Sequence, residues 1–235
     1  MKKKWLYVWT FALLPLLLLQ LETEAHSLFS IPVDKDAWVS ESSPGTNYGL
    51  NSYLTVKDTS KRAEGFLLLS SSALSEFSGT RIVSASLYAY QYQGTYTPGD
   101  QILLHAVASD WQEPSITWDT KPAYLKESLG SLALTSGNNT WRRWDGLEGT
   151  VSSWVYGPNY GLALENYQDG ELGELYSRFY SSEYSGLDKR PYFEVVTEPL
   201  ALEPVTSTVP EPFTSSLLLI GIGALGVGRF KKNNR

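Results

Sequence analysis

Residues 81–93 read RIVSASLYAYQYQ. Val83, Ala85, Leu87 and Ala89 fall in one phase, and Ser84, Ser86, Tyr88, Tyr90 and Tyr92 in the other. Period-two alternation is that of a strand, whose successive side chains project to opposite faces. One face supplies small apolar side chains to a core. The opposite face carries three tyrosines in a row, and Gln91 and Gln93 sit on the apolar side of the alternation. Similar short runs recur at 52–56, 65–70, 101–109, 140–145, 160–166, 174–181 and 192–198. Many of them are separated by turn-forming clusters such as SPGTNYG, TPGD, SGNN and YGPNYG. Many short strands at this spacing predict an all-β fold, a jelly-roll β-sandwich. The helical exception is GLEGTVSSWVYG (146–157), in which Leu147, Val151, Trp154 and Val155 share a face.

Length and composition agree with a single domain. A chain of 235 residues with 42% apolar content can bury one good-sized core, and no internal repeat divides it. There is no cysteine, so disulfides and thiolate zinc sites are excluded, and packing must stabilise the fold. Residues 26–212 hold six Trp, fourteen Tyr and five Phe for that purpose. The same stretch has 12 Lys plus Arg against 23 Asp plus Glu, a net charge of −11. With its basic pairs scattered, such a body is not expected to bind nucleic acid, whose phosphates draw on clustered cations.

Both ends differ from the body. Three lysines, an apolar run from Trp5 to Leu19 and small residues at Thr23 and Ala25 predict a secretory signal peptide, residues 1–25, cleaved after Ala25. The alternative is an uncleaved anchor, against which stand the short run and Pro15. The body is expected over 26–198, followed by an extended linker at 199–208 rich in Pro and Thr. The chain closes with Val209, Pro210, Glu211 and Pro212, an uncharged stretch at 213–228, and a basic end that begins at Arg229. Sixteen residues of helix span roughly 24 Å, short of a ~30 Å hydrocarbon core, and four glycines weaken that helix further. A short transmembrane segment of this kind suits a temporary stop better than a permanent anchor.

Four ordered stretches carry a family resemblance: DAWVSESSPGTNYGLNSYLTV, SDWQEPSITWDTKP, WDGLEGTVSSWVYGPNYGLALEN and FYSSEYSGLDKRPYFEVV. From Asp36 to Thr197 the chain resembles the DNRLRE domain, a disaggregatase-related group that includes a carbohydrate-binding module family. That resemblance implies a jelly-roll sandwich of exported or cell-surface proteins, some of which bind polysaccharide, acidic polysaccharide included. In the third stretch, Asp145, Gly146 and Leu147 stand where the family usually has Asp, Val and Thr. The ending, VPEP with its apolar run and basic tail, is similar to the PEP-CTERM sorting signal. This implies a transient stop in the inner membrane, processing by exosortase-type machinery, and delivery to the cell surface or extracellular matrix of a Gram-negative bacterium.

Chemistry-bearing residues are sparse. The exported body has only His26 and His105, and His105 reads as a strand residue with a local hydrogen bond. Asp110 and Glu113 form the nearest carboxylate pair, in a stretch that reads as structural, so no enzyme is expected. Asp34 and Asp36 could begin a calcium site but lack further oxygen ligands at recognisable spacing, so they read as solvated loop carboxylates, and no metal or cofactor is expected. Sugar binding is the stronger expectation, because pyranose rings stack on aromatic planes while their hydroxyls need polar partners. The candidates are the Tyr88, Tyr90 and Tyr92 row, with Trp38, Trp141 and Arg142 as secondary contacts. The row either lines the outer face of a sheet or packs under a covering loop. Trp111, Trp118, Trp144 and Trp154 are expected in the core.

Overall fold

A computed structural model describes residues 25–95, 99–134, 138–167 and 175–200. The signal peptide expected before Ala25, the linker expected beyond Leu200 and the 209–235 tail with the membrane segment expected at 213–228 lie outside the described residues. Among the described residues there are ten strands: β1 (Ser27–Ser40), β2 (Tyr53–Asp58), β3 (Ala63–Leu69), β4 (Thr80–Thr95), β5 (Gln101–Val107), β6 (Tyr124–Ala133), β7 (Thr140–Trp144), β8 (Leu162–Tyr167), β9 (Leu175–Tyr180) and β10 (Tyr192–Pro199). Two short helices, α1 (Ser71–Ser75) and α2 (Glu148–Tyr156), and a 3₁₀ turn at Leu187–Lys189 complete them.

Every strand pairing is antiparallel, in the order β1-β10-β4-β9-β2-β3-β8-β5-β6, with β7 against β4 and a second pairing of β1 with β3. Strand β1 makes the closure. Its first half, Ser27 to Pro32, pairs with β10, and from Val33 to Ser40 it pairs with β3, with a register irregularity between Val33 and Lys35. A bulge of this kind bends a strand and lets it serve two sheets. The result is the expected all-β sandwich of the jelly-roll class.

Eight of the ten strands fall on the runs read from the sequence. Strands β1 and β6 were not anticipated, nor was α1. Strand β6 is largely exposed and so lacks an apolar alternation, and α1 is one turn, started by Ser70, whose side chain accepts from the Ser72 amide. The amphipathic segment forms α2, with Leu147, Val151 and Trp154 buried as expected and Val155 packed against them.

The deciding strand, β4, keeps its two faces with one correction. Ala85, Leu87, Ala89 and Gln91 are buried, whereas the apolar phase is taken up at its start by Ile82 and not by Val83. The cause is a bulge: Val196 faces Ser84, but the next residue, Thr197, faces Ile82. Trp111, Trp144 and Trp154 are in the core, but Trp118 is only half-buried, with Lys121 4.1 Å and Arg62 5.3 Å from its ring centre. The turn that departs from the family pattern is explained by Gly146, which adopts φ +79°, a left-handed conformation that a β-branched residue resists.

Candidate functional site

On the outward phase of β4 the aromatic side chains form a continuous ribbon. The register places Tyr88 opposite Tyr192 of β10, and their rings stack at 4.8 Å with planes 1° apart. Tyr90 lies opposite Trp141 of β7, edge to face at 5.4 Å and 88°. Tyr180 of β9 stacks on Tyr90 at 5.8 Å and on Tyr92 at 4.6 Å. From Tyr92 the ribbon continues through Tyr53 to Trp38, which stacks on Tyr48 at 3.9 Å. The candidates Tyr88, Tyr90, Tyr92, Trp38 and Trp141 are thus brought together.

Arg142 is not. Strand β7 alternates, so Trp141 and Arg143 face out while Arg142 is 7% exposed. Its Nε donates to Gln91 Oε1 at 2.6 Å, inside the sandwich. The cations at the ribbon are others. Lys189 Nζ lies 4.9 Å from the ring centre of Tyr90, the Arg143 guanidinium 5.4 Å from Tyr88, and Arg178 5.4 Å from Tyr53. Arg143 also pairs with Asp145, and Arg178 donates to Gln93 at 3.0 Å.

The tyrosines are half-buried by one another, and the loop after β9 lies along their edge: Tyr184 stacks on Tyr180 at 3.6 Å, and the loop also carries Lys189. Both readings of the row therefore hold in part, an outer sheet face with a loop on one border. Stacked pairs cover ring faces of Tyr88, Tyr90 and Tyr92. Trp141 meets Tyr88, Tyr90 and Tyr192 only edge to face, and it is 36% exposed. A hydrogen bond with Tyr184, then burial, pushes the Tyr180 hydroxyl up to about 12; burial chiefly raises Tyr88, Tyr92 and Tyr192 as well. Beside Tyr192 a hollow of about 480 Å³ is lined by Ser30, Pro32, Leu187, Asp188, Arg190 and Pro191. Sequence reasoning missed Tyr180, although Tyr176, Arg178 and Tyr180 share one phase of β9 just as the tyrosines share one phase of β4.

A second constellation is acidic. Asp34 is exposed, but Asp36 is wholly buried, so the two are not a pair of solvated loop carboxylates. Asp36 instead meets Glu113 and Glu183. Burial, then the charge of Glu183, raises the Asp36 carboxyl well above its ordinary value, against the opposing hydrogen bonds of Ser182. Asp110 is exposed and accepts from Gln112, so it does not share a site with Glu113. His105 is buried on β5, with Nδ1 2.9 Å from the carbonyl oxygen of Leu125 on the neighbouring strand β6, a cross-strand contact and not the local bond expected, and Nε2 lies 3.2 Å from Glu165.

An antiparallel sandwich that displays a ribbon of aromatic rings on one sheet face has the build of a carbohydrate-binding module. The chain belongs to carbohydrate-binding module family 96, whose sequence model matches residues 28–197. The DNRLRE name remains a resemblance carried by the four stretches quoted above. Residues 208–232 match the PEP-CTERM protein-sorting motif, which implies export, sorting at the cell envelope and exosortase processing. Among curated proteins the chain is 27% identical over 203 residues to the tRNA3(Ser)-specific nuclease WapA of Bacillus spizizenii, and 27% identical over 181 residues to the tRNA nuclease WapA of Bacillus subtilis strain 168. These matches cover 80% and 71% of this chain but 8% and 7% of the relatives, so the chain spans less than a tenth of their length.

Proposed function

We propose that the protein is an exported, non-catalytic module that binds a neutral or weakly charged exopolysaccharide, and that it works in the envelope or biofilm matrix of a Gram-negative bacterium. The observation that carries this reading is the ribbon from Tyr192 through Trp141, Tyr90 and Tyr180 to Trp38. Trp141 supplies the ring against which a pyranose stacks, and the tyrosine hydroxyls along the ribbon meet sugar hydroxyls. Stacking needs no charge and changes little with salt. The net charge of −11 over residues 26–212 disfavours a polyanionic chain at long range.

Lys189 over Tyr90 and Arg143 over Tyr88 favour a second reading, in which the same face binds uronates. A structural matrix protein or adhesin without a sugar ligand is the alternative from another class. A glycan array on residues 26–205, followed by calorimetric titration in low and high salt, separates all three. The first reading expects an affinity that is nearly constant with salt and falls by on the order of 1 kcal/mol or more in Trp141→Ala and Tyr90→Ala. Strongly salt-dependent binding to alginate-like chains, untouched by either substitution, would overturn it in favour of charge recognition. Silence across the array would leave the matrix role.

A further inference from the structure

Three of the quoted sequence stretches each send one carboxylate to a common point. Asp36 comes from β1, Glu113 from the loop after β5 and Glu183 from the loop after β9, and their oxygens lie within 4.8 Å of one another. Like charges this close repel, and none of the ion pairs among the described residues reaches any of the three. Such a group persists only with a proton or a cation among its members.

The hydrogen bonds indicate which. Each carboxylate has one oxygen held by a protein donor: Asp36 Oδ2 accepts from the Ser182 amide at 2.7 Å, Glu113 Oε1 from the Asp36 amide at 2.9 Å, and Glu183 Oε1 from the Ser182 hydroxyl at 2.8 Å. Asp36 Oδ1 and Glu183 Oε2 are buried and accept no hydrogen bond, and the whole of Asp36 has no accessible surface. A buried carboxylate oxygen without a partner is costly unless a ligand meets it. The protein thus holds one oxygen of each group and leaves a buried acceptor without a partner on Asp36 and on Glu183.

We propose that Asp36, Glu113 and Glu183 hold one calcium ion. The donor set is all oxygen, which suits a hard cation. Three oxygens no more than 4.8 Å apart share a centre at most about 2.8 Å from each, close to the calcium–oxygen distance of about 2.3–2.6 Å. Backbone carbonyls or water complete the six to eight ligands calcium takes. The ion ties β1 to two loops at one end of the aromatic ribbon. Asp36 is two residues from Trp38, Glu183 adjoins Tyr184, and the Glu113 carbonyl accepts from Asn47, which adjoins Tyr48. The site stands independently of the glycan reading and is tested without a sugar.

The full chain in detergent is unfolded thermally in EDTA and in calcium chloride, with calorimetric titration of calcium chloride alone. With calcium held roughly 100-fold above its dissociation constant, the melting temperature rises by about 5 °C or more. Asp36→Asn and Glu183→Gln each abolish the rise and the heat of binding. Glu183 is the less buried of the two, so its variant keeps the test intact if Asp36→Asn does not fold. Equal melting temperatures in EDTA and calcium, or a rise that Glu183→Gln retains in full, would overturn the proposal. Neither result depends on the outcome of the glycan titration, and a failed glycan titration leaves the calcium shift as it is.

Discussion

Arg142 Nε donates to Gln91 Oε1 at 2.6 Å, and Gln91 Nε2 donates onward to Ser177 Oγ at 3.1 Å, so one polar chain crosses β7, β4 and β9 inside the sandwich. Its members are 7% exposed or less. Removing the guanidinium leaves Gln91 with a buried unpaired oxygen. Arg142→Ala is therefore expected to destabilise the fold by about 2–3 kcal/mol. Its neighbour Trp141 points out and packs only by ring edges, and Trp141→Ala should cost less stability than Arg142→Ala, on the order of 1 kcal/mol, while reducing glycan affinity. Urea unfolding of both variants beside the glycan titration checks the contrast. Comparable stability losses in the two would contradict the opposite orientations assigned to them.

Gly161 precedes β8 at φ +82°, and a Cβ built there would collide with the Leu67 carbonyl oxygen of β3. Both the backbone conformation and the contact oppose a side chain. Gly161→Ala is expected to cost about 3 kcal/mol or more, because neither backbone can move without breaking sheet pairing. Chemical denaturation measures this directly, and a midpoint equal to wild type would show that the two strands shift freely.

The Tyr180 hydroxyl should ionise near 12, because its hydrogen bond with Tyr184 and then burial favour the neutral form. Its folded value lies above the unfolded one, near 10. The associated stability is fully present below pH 10 and is lost as pH rises toward 12. Ultraviolet titration of tyrosinate should therefore show a late-ionising group that moves to lower pH in Tyr184→Phe. An unchanged titration curve in that variant would place the cause elsewhere.

If the tail acts as a sorting signal, mature protein from the envelope should lack the residues beyond about Pro212. Mass spectrometry of the native C-terminus decides it. An intact Arg235 on most molecules would mean that the segment stays as an anchor.

Much of the fold was legible because its signal is local. Alternation in β4, β5, β8 and β10 follows from side chains leaving a strand on opposite faces, and burial of one face then selects the strand. Strand β6 escaped because with both faces largely exposed it has no reason to alternate. The aromatic row was legible on β4, and the PEP-CTERM ending is a contiguous motif.

By itself, then, the sequence determined a sandwich of short antiparallel strands, a face rich in tyrosine and a sorting tail, each written in neighbouring residues. Tertiary structure alone decided that Trp141 joins that row while Arg142 turns inward, since the phase of a five-residue strand is set by the register it finds against β4. It alone decided that Asp36 meets Glu113, 77 residues away, and Glu183. No spacing rule could have joined them, because the distance between such residues depends on strand pairings that form only when the whole sheet closes.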